Sequence, residues 1–523
     1  MTDSGQNTPR LRLLVAIASY GEKNIEFLKR AIRTYRSMAM DVDVVVLSEG
    51  PKDLGNAARV VVGLPSKNGQ SLPFAHKAVF SENADRYDLF AYSEDDMGVT
   101  EANIRAFAQV TPHLKEDEIA GFLRYELASD GTMSLPEAHG PFHWEPQSVK
   151  RRGPFTIARF TNEHAAFYIL TQAQLRRAIA SGGFLRAPCE GRYEMRETAA
   201  TDPYTQCGFQ KVVCISALDD FLIHHLPNRY VGQLGLPLSA VREQVGTLMT
   251  IAEGSHPAST LCEVEAKVWH FRWSKSHYEP PSRELMAMVP GAATSVLSVG
   301  CGWGALESKL MERGAQVTAL PLDSVAGASA ARLGIKVVYG TLEDGMWSLK
   351  GRKFDCVVLS NLLHLLPNPW PLLEGLGELV SAEGALAIAG PNLGSCLVRV
   401  KRALGLNRYG KMGDYSQGGI NPFDVATLVR RLRALGFRVS SIRFSCPEGW
   451  TKRTTLSQRL GRFAAENWSL QARLAGFDES HPGRGSKGPN GARVQPRLAA
   501  SDVKRGVGVG GQLQHRFILG PSL

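Results

Sequence analysis

The chain has 523 residues, 44% of them apolar and 21% charged, with a formal net charge of +10. That length holds two or three domains, and the composition is that of a globular protein rather than a fibrous or largely disordered one. No apolar run reaches the length of a membrane span, residues 1–9 lack the apolar core of a secretory signal, and the eight cysteines show neither a C-x-x-C pair nor a Cys/His zinc spacing, so they read as reduced packing residues of a cytosolic protein.

Residues 11–18 form an apolar strand closing in Ser19-Tyr20-Gly21. Ile25, Leu28, Ile32 and Tyr35 then recur at helical spacing. Strands are expected over 43–48 and 59–63, and a helix over 74–85. The stretch 87–98 is a buried strand that ends in Glu94, Asp95 and Asp96. Three adjacent carboxylates repel one another, and a cation relieves that. Hard oxygen ligands at a strand's C-terminal end suit Mn²⁺ or Mg²⁺, and such an ion suits a diphosphate. The competing reading is a solvated acidic turn before a helix capped by Thr100.

Residues 162–171 read as a further strand, with Thr171 capping a helix over 172–180. The stretch 217–228 holds a second acid pair, Asp219 and Asp220, followed by His224 and His225. These residues, with the acidic strand end, resemble the GT-A-fold glycosyltransferases over about residues 11–231. The resemblance implies that Asp96 coordinates a divalent metal on a nucleotide-sugar donor, with Glu94 and Asp95 supporting the site. It also implies that Asp220, or else Asp219, takes the proton of the acceptor hydroxyl, and that His225 or His224 adds a ligand to the metal. An N-cap for the acids and core packing for one histidine stay open beside these roles.

Residues 233–264 mix Gly, Pro and Ser with a short helical piece and read as a linker. A helical lead-in is expected over 269–288. The stretch 296–304, Val-Leu-Ser-Val-Gly-Cys-Gly-Trp-Gly, is a strand running into a glycine turn and then a helix. Glycines let backbone N–H groups approach a ligand closely, and the helix start adds a positive pole. Strands expected over 314–320, 335–339, 354–361, 384–390 and 436–442 alternate with helices, which predicts a parallel, doubly wound sheet. Residues 269–473 resemble class I S-adenosylmethionine-dependent methyltransferases. The resemblance places Gly300, Cys301, Gly302 and Gly304 on the cofactor, Glu343 near the adenine amino group, and Asn361 beside it; Asp323 either reaches the ribose or is a turn residue before a helix. His364 is the candidate base, with a packed or capping histidine as the alternative. Two positions depart from the pattern: Pro321 stands where the family's acid ends the second strand, and Ser298 stands where the family has an acid.

Between residues 399 and 462, fourteen Lys and Arg face three Asp and Glu, a net +11. That is a basic face for an anionic acceptor or a membrane surface, or a solvated helix face. Aromatics are not interleaved with these charges, so nucleic acid is not favoured. An insertion rich in Gly and Tyr spans 393–423, and residues 476–523 read as a disordered basic tail.

The expected fold is therefore α/β with two Rossmann-like domains, a GT-A-like mixed sheet over 11–232 and a doubly wound methyltransferase sheet over 265–475. The expected enzyme is a cytoplasmic bifunctional transferase, at the inner face of a membrane where the basic region docks. It would use a nucleotide-sugar, Mn²⁺ or Mg²⁺, and S-adenosylmethionine on a glycan or lipid-linked glycan. Three alternatives remain: a small-molecule methyltransferase with an N-terminal binding module, an RNA methyltransferase, and a glycosyltransferase with a scaffold second domain.

Overall fold

The computed structural model describes residues 10–138, 140–233, 235–268, 273–405, 415–445 and 465–475. The tail over 476–523, the segment 406–414 and much of the basic stretch beyond 445 lie outside the described residues.

Four strands open the chain: β1 (Arg12–Ala18), β2 (Asp41–Ser48), β3 (Arg59–Val62) and β4 (Leu89–Glu94). They are parallel, and Phe167–Thr171 joins β4 antiparallel, giving the order Phe167–Thr171, β4, β1, β2, β3. β1 and β4 are nearly all apolar and buried, as parallel strands covered on both faces must be. Chain order reverses between β1 and β4, so the crevice beyond their carboxyl ends is where such sheets hold ligands. Met97–Gly98 follows β4 at once and pairs antiparallel with Leu222–His225, which sets His225 opposite Met97.

The helix expected over 74–85 is an α-helix only over Ala75–Glu82; a 3₁₀ turn, Gly69–Phe74, leads into it. Thr100 and Thr171 both cap their helices with complete capping boxes. Within the stretch 233–264 lies a 15-residue helix, Leu238–Ala252, which buries Leu238, Val241, Val245 and Leu248.

The sheet of the second half has seven strands in the order Lys336–Val337, Gln316–Pro321, Ser295–Cys301, Phe354–Ser360, Val380–Pro391, Asn467–Leu474, Phe437–Ser445. The first five are parallel and the last two pair antiparallel. Asn467–Leu474 is a strand not foreseen in the sequence. Its order also reverses beside the central strand, between Ser295–Cys301 and Phe354–Ser360, directly beyond which the glycine turn lies. The helical lead-in expected over 269–288 shrinks to Arg283–Met286. Pro280 and Pro281 explain this, since proline and the residue before it both resist helix.

The described residues of both halves belong to one compact unit. Val325, from the second half, sits in the hydrophobic core of the first. Arg332 reaches back to the Thr247 hydroxyl at 2.9 Å and the Glu243 carbonyl at 3.1 Å. No helix among the described residues is long and apolar enough to cross a membrane.

Candidate functional site

Beyond β1 and β4 lies a cleft of about 480 Å³. The acidic strand end forms its floor, and Tyr20, Gln70, Arg196 and Arg229 stand around it. Asp95 is fixed by the Ser19 hydroxyl at 2.7 Å and the Asn24 amide at 2.8 Å. Asp96 takes a second bond from Asn24 at 3.2 Å, and its Oδ2 lies 3.5 Å from His225 Nε2 and 3.7 Å from Arg229. The other oxygen of Asp96 is buried with no partner. His225 Nδ1 bonds Glu126 at 2.6 Å, so the ring is held from behind by a carboxylate.

Burial pushes the Glu94 carboxyl up to about 7, with the charge of Asp96 adding to it. Burial likewise pushes Asp95 up to about 6, against its bonds from Asn24 and Ser19. Burial acts the same way on Asp96, but the bond and charge of His225, with Arg229, overcome it and hold that carboxyl below its ordinary range. A divalent cation fits this set. It would be held by Asp96 and His225, with Asp95 and Glu94 adjoining, and the unpartnered Asp96 oxygen is the group it would satisfy. Glu126 then stands where a metal-binding histidine commonly gives its second ring nitrogen to a carboxylate. Glu126 carries no sequence signal; only the pairing of Leu123–Leu127 with Leu222–His225 brings it there.

Asp219 and Asp220 are not part of this cleft. Both are exposed on a 3₁₀ segment, Ile215–Phe221, and Asp219 is paired with Arg242 at 2.7 Å. The expected acceptor base is therefore not supplied by that pair. His224 turns away from the acids, stacking on Tyr125 and bonding Asn228 at 2.9 Å.

The second cleft lies at the glycine turn. Gly300, Gly302 and Gly304 line it, as expected, and Gly300 and Gly304 have φ of +78° and +101°. Ser298, in the place of an acid, donates at 2.6 Å to Glu307 from the following helix. Glu307 is buried and restores a carboxylate from a position nine residues on. The other expected contacts are taken by the chain itself. Asp323 caps its helix through the N–H groups of Val325 and Ala326 and pairs with His277 at 2.8 Å. Asn361, at φ +48°, donates to Glu279 at 3.1 Å. Glu343 is exposed in a helical first turn outside the cleft, and Cys301 is buried with its thiol on the Gly302 carbonyl.

His364 is buried too, and its Nε2 bonds the Trp273 carbonyl at 2.7 Å. Burial lowers its pKa to about 4, partly opposed by that bond. It is a packed histidine rather than a base at the cleft. Trp144 is buried in the core of the first half.

His143, His277 and Asp323 bring ligand-type atoms within 4.8 Å of one another. The two rings lie parallel within 14° at 4.0 Å. Lone pairs in parallel ring planes do not converge on one ion, so the group is a hydrogen-bonded stack rather than a metal site.

Residues 272–442 match the family model of a methyltransferase domain. With the glycine turn and the parallel sheet, this defines the C-terminal part of the chain as a class I S-adenosylmethionine-dependent methyltransferase domain. The chain is 28% identical over 190 residues to a ubiquinone biosynthesis O-methyltransferase of Xanthomonas axonopodis pv. citri, covering 34% of this chain and 75% of the relative. It is 36% identical over 106 residues to an uncharacterized methyltransferase of Mycobacterium bovis, covering 20% of this chain and 54% of that one. Among solved structures, an S-adenosylmethionine-dependent methyltransferase from Mesorhizobium loti aligns with 36% of this chain and 95% of its own, at 22% identity and a TM-score of 0.29.

The cofactor of that class does not fit the cleft in this conformation. About 30 Å³ remains between the glycine turn and residues 275–282, room for about one water.

Proposed function

We propose that the N-terminal half transfers a sugar from a nucleotide-sugar donor with the help of a divalent cation. The methyltransferase domain then serves the same glycan or lipid-linked glycan acceptor. The observation that carries the first reading is the buried Asp96, charged, backed by His225 and Glu126, with one oxygen unpartnered at the foot of a 480 Å³ cleft. The cation would neutralise the diphosphate of the donor and its leaving group. Arg196 and Arg229 add positive charge at the same wall, and Tyr20, 60% exposed at the rim, offers a face for a nucleobase.

For the second reading, the support is the methyltransferase domain and the O-methyltransferases among its relatives, which favour a hydroxyl acceptor. The two halves pack directly on each other, Val325 entering the core of the first and Arg332 bonding Thr247, which favours one acceptor for both. Membrane contact is favoured by the helix Cys396–Ala403. It has no buried residue, and Leu397 and Val400, with Leu404 just beyond, are more than half exposed beside Lys401 and Arg402.

The test is calorimetric titration of the full chain with uridine and guanosine diphosphates, with and without Mn²⁺. Saturable, Mn²⁺-dependent binding that disappears in Asp96→Ala is expected. Nucleotide binding that survives that substitution would refute the metal assignment.

A further inference from the structure

Three of the seven residues expected to hold the cofactor, Gly302, Asp323 and Asn361, are met by one segment of the chain. The His277 carbonyl accepts the Trp303 N–H at 2.9 Å and presses on Gly302, where an added Cβ would stand 2.2 Å from it. The His277 ring occupies Asp323. Glu279 takes Asn361 at 3.1 Å and the Ser360 hydroxyl at 3.3 Å. Lys275 bonds Glu279 at 3.0 Å and the Ser360 carbonyl at 2.8 Å. Residues 275–279 thus set an ammonium, a carboxylate and a ring against backbone and side chains that would otherwise face a zwitterionic nucleoside.

The outer side of this segment is held by the N-terminal half. The His277 ring stacks on His143, the Ser276 hydroxyl donates to the Gly140 carbonyl at 2.9 Å, and the Tyr278 hydroxyl reaches Gln244 at 3.3 Å. The closed state is also imperfect, because the buried His277 Nδ1 and Trp303 Nε1 have no partner. Unmet hydrogen bonds lower the cost of leaving that state.

We propose that residues 275–279 are an internal occupant of the methyltransferase cleft, latched by His143 and Gly140 of the N-terminal half, and that cofactor binding requires their release. The segment and the cofactor compete for Gly302, Asp323 and Asn361. Apparent affinity is then the intrinsic affinity scaled by the fraction of molecules with the segment out. A ligand that moves the segment carrying His143 would by the same linkage change cofactor binding, which couples the two halves.

The proposal rests on the methyltransferase domain and not on the sugar-transfer reading, and its test uses no metal or nucleotide-sugar. S-adenosylhomocysteine is titrated by calorimetry into the full chain, His143→Ala and Ser276→Ala, the last removing only one hydroxyl. His143 lies on the latch side only, and Ser276, which also lines the cleft, loses nothing but the hydroxyl that bonds Gly140. Binding roughly tenfold tighter in the variants is expected. Hydrogen exchange of the unaltered protein should show residues 273–282 becoming less protected when the ligand binds.

Unchanged or weaker binding in both variants, or greater protection of the segment, would make residues 275–279 part of the cofactor's own wall and overturn the proposal. Failure of every form to bind would also overturn it, since the occupant would then be permanent.

Discussion

Glu126 has no exposed surface, and both its oxygens are committed, one to His225 Nδ1 at 2.6 Å and one to the Tyr230 N–H at 2.7 Å. A buried carboxylate in that position fixes the tautomer of the histidine and makes its other nitrogen a better ligand. Glu126→Gln keeps the volume and one acceptor but removes the charge. Calorimetric Mn²⁺ affinity is expected to fall about 10- to 100-fold while the far-ultraviolet circular dichroism is unchanged. Equal affinity in the variant would make the Glu126–His225 pair a packing feature. The residue scale is also where reading the sequence was weakest. Asp95 and Asp96 were legible, because three acids ending a buried strand are conspicuous. Asp219 and Asp220 look similar in the sequence, yet they face solvent, because the strand that would have aimed them starts only at Leu222. Glu126, Glu307 and His277 gave no signal, since their partners are brought to them by strand pairing and by an irregular segment rather than by spacing.

Elements were more legible than side chains. The central strands are continuous apolar runs, and their alternation with helices predicts the parallel strands at the core of each half's main sheet, to which antiparallel strands are added at the edge. The helix expected over 269–288 fails across 273–282, where Pro280 and Pro281 leave a run of irregular turns against the glycine turn. The helix Cys396–Ala403 makes its own prediction. Leu397, Val400 and Leu404 fall at i, i+3 and i+7, so they share one face, and Lys401 and Arg402 flank it. Such a helix lies in the plane of an anionic interface, with about 1 kcal/mol from each basic residue near the surface. The full chain is expected to co-sediment with phosphatidylglycerol vesicles at low salt and much less with phosphatidylcholine ones. Leu397→Ser with Val400→Ser should cut the anionic binding severalfold. Binding that ignores this pair would place the contact elsewhere on the chain.

At the scale of the molecule, buried ionisable groups in both halves set how stability follows pH. His364 is held at about 4, and His76, in the core of the other half, at about 3, each chiefly by burial. The unfolded chain protonates these rings near 6.5. Their contribution is therefore complete above about 6.5 and is lost as pH falls toward 4 for His364 and toward 3 for His76. Glu94 and Glu137, both raised to about 7 by burial, act in the opposite sense. The folded state keeps protons that the unfolded chain releases above about 4.5, so their contribution is lost as pH rises from 4.5 to 7. Between 6.5 and 4.5 the two sets oppose each other, and below 4.5 the histidines act without that opposition. Denaturant titrations should therefore show a shallow slope down to pH 4.5 and a steep loss below it. His364→Gln isolates one term, since its amide still donates to the Trp273 carbonyl but cannot take a proton. Relative to the unaltered chain, that variant should gain about 1.4 kcal/mol per pH unit as pH falls from 6.5 to 4, about 3 kcal/mol in all. Parallel curves for the two proteins would mean that His364 titrates normally and that the packing around Trp273 opens before the fold is lost.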